Sequence, residues 1–224
     1  TRATNEFELD PQVRIGITGN KIENKAGAKR MLSHLEDRCW FIDIDACIDA
    51  WSAYALDVEK CDPMGVAFLR LRKGLLSDFD PANRSNATPR SWSKVFRFAD
   101  TSLPAELYYE LVKGKVGEGA AGEWCAAREI MADCPSPDVV RQHPTTTEIP
   151  PEEKAPISFA IATSLSTSTD ENLFPIDMQY IERMKPEFQM LYVQDSIRRF
   201  PQVEQTKTFI DWAIKNQDLL LGGK

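Results

Sequence analysis

Three polar side chains that lie far apart in the sequence could together bind an anion. Asn20 follows a short apolar run, Arg38 follows a helical pattern, and Arg90 comes directly after Pro89 at the start of another helical pattern. A helix N-terminus offers free N–H groups and a partial positive charge, which favour an anion. An arginine in that first turn adds a planar fork that can grip a phosphate at two points. Each residue also has a simpler interpretation, with Asn20 as a turn residue and both arginines as solvated surface charges.

The elements that would position the first two side chains lie in the segment 13–45. Its pattern predicts a strand over 13–18, a helix that ends at Arg38 and a second strand over 39–44. A strand–helix–strand unit of this length implies two parallel strands joined by a right-handed crossover. Asn20 and Arg38 would then face the same rim, and ligands of open α/β sheets bind at that rim.

The rest of the chain predicts helices. Asp62 and Pro63 are good helix-start residues, because aspartate caps and proline suits the first turn, so a helix is expected over 63–73. A further helix is expected over about 49–57, and others should start at Pro89, Pro104, Pro175 and Pro186. One more helix, after the turn in GKVGEGAAGEW, should end at about residue 131. The fold class predicted is therefore α/β followed by mostly α.

Proline content divides the chain into four predicted regions. Residues 1–48 form the α/β piece, and residues 49–134 form a helical subdomain. Residues 135–156 are rich in proline and poor in large apolar groups, which is typical of a linker or an extended strap. Residues 157–224 return to helical periodicity and form a helical C-terminal extension.

Composition excludes several classes of partner. The 224 residues carry a formal net charge of −7, with an isoelectric point near 5.0, so nucleic acid and anionic lipid are not expected partners. No apolar run approaches the ~20 residues of a membrane span. The five cysteines show no disulfide-framework spacing and are expected to be reduced, which indicates a cytoplasmic protein.

Several stretches, taken in order, resemble one known family. They are VRIGITGNKIENKAGAKRMLSHLEDRCWFIDI from residue 13, FLRLRKGLLSDFDP from residue 68, TPRSW from residue 88 and LVKGKVGEGAAGEW from residue 111. Their order and spacing resemble the C-terminal half of a MoxR-type AAA+ ATPase, from about residue 10 to about residue 135 and more weakly to the end of the chain. The resemblance implies a partial AAA+ core made of two parallel-sheet strands and a crossover helix, followed by an all-helical lid.

The resemblance also implies a role for each of the three polar residues. Asn20 would be the sensor-1 residue that orients the attacking water, and Arg38 would be the arginine finger offered to the neighbouring subunit's nucleotide. Arg90 would be sensor 2, reaching from the lid to the bound nucleotide, and Arg30 is a less favoured candidate for the finger. Phosphoryl transfer is catalysed mainly by positioning and charge stabilisation, which these side chain types can supply.

The sequence departs from this family in one large respect. It contains no G-x-x-x-x-G-K-[ST] loop to cradle phosphates and no corresponding metal-binding acids. The chain would be a fragment, a split-gene product or a remnant. It would hydrolyse ATP with magnesium only when joined to the missing P-loop half, and the chain alone would be inactive. The resemblance further implies a ring of like subunits, hexamer-like, that remodels a partner protein, for which the family suggests a von Willebrand A-type domain.

Two other classes of function stay open. A non-catalytic helical adaptor, or protein-interaction module, would keep the fold without the nucleotide. A helical nucleic-acid-binding protein is disfavoured by the acidic isoelectric point. The basic cluster over 70–73 is interpreted as a solvated helix face, and Cys125, Cys134 and His143 lack the close spacing of a zinc site.

Overall fold

The computed structural model describes residues 3–4, 7–8, 10, 12–19, 33–98 and 103–220. The chain divides into two compact units, Thr1–Asp43 with Asp80–Ala82, and Ile44–Phe79 with Asn83–Lys224. Helices dominate the described residues, and their bounds are α1 Ser33–Glu36, α2 Ile48–Asp57, α3 Pro63–Leu71, α4 Pro89–Arg97, α5 Ala105–Val116, α6 Glu118–Met131, α7 Pro137–Gln142, α8 Ala155–Ser168, α9 Phe174–Ile181, α10 Pro186–Arg199, α11 Lys207–Lys215 and α12 Gln217–Leu220. Shorter 3₁₀ turns occupy Lys73–Leu76, Glu152–Lys154 and Pro201–Gln205.

Local capping explains where the central helices begin. The Asp62 carboxylate accepts a 3.0 Å hydrogen bond from the backbone N–H of Met64 at the start of α3. The Thr88 hydroxyl accepts a 3.1 Å bond from the backbone N–H of Ser91 at the start of α4. In both helices proline occupies the first helical position, where a missing N–H costs nothing. The helix starts predicted at Asp62-Pro63 and at Pro89 are therefore confirmed.

An aromatic cluster fills the core between α3, α4 and α6. Phe68, Trp92, Phe96 and Trp124 are all buried, with neighbouring ring centroids 5.1–5.8 Å apart. Gly65 on α3 lies directly against the Phe96 ring, and a Cβ at this position would overlap that ring. The close approach of α3 to α4 therefore depends on the absence of a side chain at residue 65.

A second apolar cluster involves the C-terminal helices. Its buried members include Ile161, Leu165, Tyr180, Tyr192 and Trp212, contributed by α8, α9, α10 and α11. The helix starts predicted near Pro175 and at Pro186 agree with α9 and α10.

The proline-rich region 135–156 contributes to the second cluster. It contains α7, whose Val140 is completely buried, and Ile149 packs against the same cluster. This region is therefore partly helical, and apolar groups anchor it.

The predicted fold class is wrong. Neither 13–18 nor 39–44 forms a strand. Within the described residues, the sheet consists of β1 Ala3–Thr4 paired antiparallel with β2 Phe7–Glu8. One isolated bridge also joins Asp78 and Ala87. The part of the chain that the structure describes is otherwise all-helical, without a parallel-sheet AAA+ core. A strand exists only when a neighbour receives its backbone hydrogen bonds, and local apolar patterning does not supply that neighbour.

The apolar side chains of the predicted strands are exposed. Ile15 and Ile17 are 69% and 73% exposed, while Trp40 and Ile42 are 98% and 82% exposed. Large exposed apolar patches are uncommon on soluble monomeric proteins, so these two runs stand out from the rest of the described surface. Among the described residues, no helix is both long enough and apolar enough to cross a membrane.

Candidate functional site

Side-chain hydrogen bonds hold the start of α4, which carries the predicted site residue Arg90, in a fixed position. The Trp51 indole N–H donates to the carbonyl of Pro89 at 3.2 Å and to the hydroxyl of Ser93 at 3.3 Å. Together with the Thr88 cap, these bonds fix the first turn of α4 against the buried face of α2. Arg90 projects from this fixed turn and is exposed to solvent.

Arg90 has no ion-pair partner among the described residues. The α4 N-terminus also carries no acidic residue in its first turn. An unpaired guanidinium beside a helix N-terminus can donate two hydrogen bonds to one phosphate, so this turn suits an anionic ligand chemically.

Arg38 follows the short helix α1 in the first unit. Its backbone N–H donates to the carbonyl of Leu35 at 3.0 Å, which closes the turn after Glu36. The side chain is exposed. The predicted position of Arg38 at a helix end is therefore confirmed, since α1 ends at Glu36.

The proposed three-residue site stays a prediction. Asn20 and Arg30 lie outside the described residues. Arg38 belongs to the first compact unit and Arg90 to the second. Within the described residues, no group of three or more histidine, cysteine or acidic side chains could hold a metal ion.

A buried ion pair between α3 and α10 was missed at the sequence level. Two nitrogens of the Arg70 guanidinium donate to the two carboxylate oxygens of Asp195 at 2.6 and 2.9 Å, and Arg70 also donates to the Thr163 hydroxyl at 3.1 Å. The side chains of Arg70 and Asp195 are only 5% and 4% exposed. The interpretation of the 70–73 cluster as a solvated face is therefore wrong for Arg70.

This ion pair extends into a network that reaches α2. Arg198 donates to Asp195 at 2.8 Å and lies 3.4 Å from the carboxylate of Asp57, which accepts a 2.6 Å bond from Arg199. The network therefore holds three arginines and two aspartates. The two terminal nitrogens of Arg199 are buried and have no hydrogen-bond partner among the residues that the structure describes, which is a costly arrangement.

A second buried ion pair lies inside the C-terminal cluster. Arg141 on α7 donates two hydrogen bonds, of 2.7 and 2.9 Å, to the fully buried carboxylate of Asp177 on α9. The Tyr192 hydroxyl donates to the same carboxylate at 2.9 Å. Burial and the nearby Asp177 charge raise the pKa of Tyr192 far above its ordinary value, so the phenol stays protonated as a donor.

The cysteines in these clusters lack the environment of reactive thiols. Burial raises the pKa of Cys61 to about 11, and the nearby Glu59 carboxylate acts in the same direction. Burial likewise raises the pKa of Cys134 to about 11. A raised thiol pKa means very little thiolate at neutral pH, so these two side chains act as small apolar groups.

Comparison with known proteins identifies no relative of this chain. No family model, no curated protein sequence and no solved structure gives a significant match.

Proposed function

We propose that the chain is the sensor, arginine-finger and lid portion of an AAA+ ATPase that couples ATP hydrolysis to the remodelling of a partner protein. The motifs of the MoxR-type resemblance support this proposal, since TPRSW falls on the first turn of α4. The observation that carries it is the Arg90 guanidinium, which has no ion-pair partner in the described part of the chain and stands on a turn that a threonine cap and a tryptophan N–H hold in place. Arg90 would contact a nucleotide phosphate there.

The proposal requires a second part that contains the P-loop and the magnesium ligands. The apolar side chains of 13–17 and 40–42 support this requirement, because they are largely exposed and need a covering surface. ATP and magnesium would bind mainly to that second part, and the assembly would be a cytoplasmic ring of like subunits. A protein with a von Willebrand A-type domain is the candidate partner for remodelling.

The first experiment tests whether nucleotide hydrolysis depends on the second part. The purified chain, incubated with magnesium and labelled ATP, should release phosphate at the rate of the blank. The reading frame directly upstream is then sequenced and co-expressed, and it should encode a P-loop and restore hydrolysis that Arg90→Ala reduces. An upstream region without a P-loop, or hydrolysis that is indifferent to Arg90→Ala, contradicts the proposal.

The second experiment separates the roles of the two arginines in the complete ATPase. An arginine finger is worth ~10³–10⁵ in turnover, so Arg38→Ala should nearly abolish hydrolysis and leave nucleotide affinity almost unchanged. Mixing Arg38→Ala subunits with subunits that lack the P-loop lysine should restore activity, because an intact P-loop then meets an intact finger across one interface.

Arg90→Ala subunits should not be rescued by the same mixing. Arg90 and the P-loop lysine would serve the nucleotide of their own subunit, and no subunit in the mixed ring would carry both. Rescue of Arg90→Ala without rescue of Arg38→Ala would mean that the two roles are assigned the wrong way round.

A non-catalytic helical adaptor is the second candidate function. The all-helical character of the described residues and the exposed apolar side chains of 40–42 favour it. An adaptor would bind a protein partner equally well with and without nucleotide. Partner binding that requires ATP would decide in favour of the ATPase.

A further inference from the structure

An open apolar groove lies between α4 and α5. Its floor consists of Val95, Tyr108 and Val112, each at most 5% exposed. Phe98 and Leu111 line its sides and are 60% and 47% exposed. The groove has a volume of about 180 Å³, which is smaller than the ~300–1,000 Å³ of ordinary small-molecule pockets.

Two lysines complete the lining of this groove. Lys94 comes from α4 and Lys115 from α5, and none of the described residues that line the groove is acidic. Neither lysine forms an ion pair with a described residue, whereas the nearby Lys113 pairs with Glu110 and Glu118. The groove is therefore apolar at its centre and positively charged at its edge, on a chain whose net charge is −7.

We propose that this groove is a docking site for an acidic amphipathic helix of a partner protein. Helices bind such grooves by inserting apolar side chains spaced at i, i+4 and i+7, and a few anchors on one face suffice. The half-exposed Phe98 and Leu111 would enclose the anchors. Carboxylates on the edge of the incoming helix would meet Lys94 and Lys115, so charge complementarity selects an acidic helix over a basic one.

The docking groove is independent of the proposed ATPase chemistry. The groove includes neither Arg38 nor Arg90 and requires no nucleotide. Failure of the ATPase experiments would leave the docking site untouched, and loss of peptide binding would leave the ATPase proposal untouched.

The test uses two labelled synthetic peptides measured by fluorescence anisotropy against the purified chain. Both carry leucines at i, i+4 and i+7 spacing on an alanine background, and they differ in having glutamates or lysines along the edges of the leucine stripe. The glutamate peptide should bind and the lysine peptide should bind at least about fivefold more weakly. No binding of the glutamate peptide at ~1 mM, or equal binding of both peptides, overturns the proposal.

Variants in the groove locate the binding. Leu111→Asp places a charge in the apolar groove and should weaken the glutamate peptide about tenfold or more. Ile130→Asp is the matched control, since Ile130 is 44% exposed on α6 and lies outside the groove. An equal loss in both variants would place the peptide elsewhere and refute the docking site.

Charge reversal at the groove edge tests the choice of partner. Lys94→Glu with Lys115→Glu should invert the preference, so that the lysine peptide now binds more tightly. Lys73→Glu with Lys207→Glu makes the same change in net charge at residues outside the groove and should leave the preference intact. An unchanged preference in the groove variant would argue against a protein helix as the occupant. Displacement of the glutamate peptide by phosphatidylserine vesicles that bind the same lysines would argue against it as well.

Discussion

Removal of Arg70 or of Asp195 should destabilise the protein by different amounts. Breaking a buried ion pair from one side typically costs about 3–5 kcal/mol, because the remaining charge is left without compensation. In Arg70→Met, Asp195 keeps its 2.8 Å bond from Arg198, so the loss should be near 3 kcal/mol. In Asp195→Leu, the described residues leave Arg70 just the Thr163 hydroxyl as an acceptor, so the loss should approach 5 kcal/mol.

The double variant provides the sharper comparison. Arg70→Met with Asp195→Leu removes both buried charges, and an apolar replacement of a buried ion pair is often neutral or even stabilising. Its free energy of unfolding should therefore lie closer to that of the wild type than either single variant. With single losses of about 3 and 5 kcal/mol, the coupling energy should be at least about 5 kcal/mol, above the ~0.5–3 kcal/mol usual for contacting residues, and opposite in sign to the single losses.

Urea denaturation followed by tryptophan fluorescence measures all three variants. The matched control is Lys215→Met, because the Lys215–Glu182 ion pair has a similar length of 3.1 Å but 65% and 37% exposed side chains. That control should lose only about 0.2–1 kcal/mol. A loss in Arg70→Met no larger than that of the control, or a double variant that loses the sum of the two single losses, would refute a stabilising buried ion pair.

Three further predictions concern packing, capping and pH. Gly65→Ala should lose about 1–3 kcal/mol in urea denaturation, because its Cβ would overlap a buried ring of α4, whereas Gly122→Ala has open space and should gain about 0.5–1 kcal/mol. Thr88→Ala removes the cap of α4 and should cost about 1 kcal/mol, and a smaller loss with unchanged helicity by circular dichroism would count against the cap. In the folded protein the pKa of Cys61 and of Cys134 is about 11, above the unfolded value of about 8.5. The contribution of these two thiols to the free energy of unfolding is therefore complete below pH ~8.5 and is lost as the pH rises through 11. The double alanine variant should show a shallower fall in unfolding free energy over that range, and an unchanged slope would contradict the shifted pKa values.

Helix starts were predictable because their signals are local. Asp62 with Pro63, and Thr88 with Pro89, carry the cap and the pre-set backbone angle within a few residues. The turn before α6 is equally local, since Gly117 adopts a φ of 91° that other residues rarely adopt. The bounds of α3, predicted as 63–73, differ from the observed helix only at its C-terminal end.

The sequence by itself determined most of the helices, although not α7 in the proline-rich region, whereas the tertiary structure decided which charges are buried and which apolar runs pair. Arg70 reads as one of several basic residues on a helix, and its burial depends on Asp195, 125 positions away. The runs 13–18 and 39–44 read as strands, but their side chains and backbone find no partner strand among the described residues. A helix satisfies its own backbone, so its pattern is sufficient, while an ion pair or a strand needs a distant partner that no local pattern specifies.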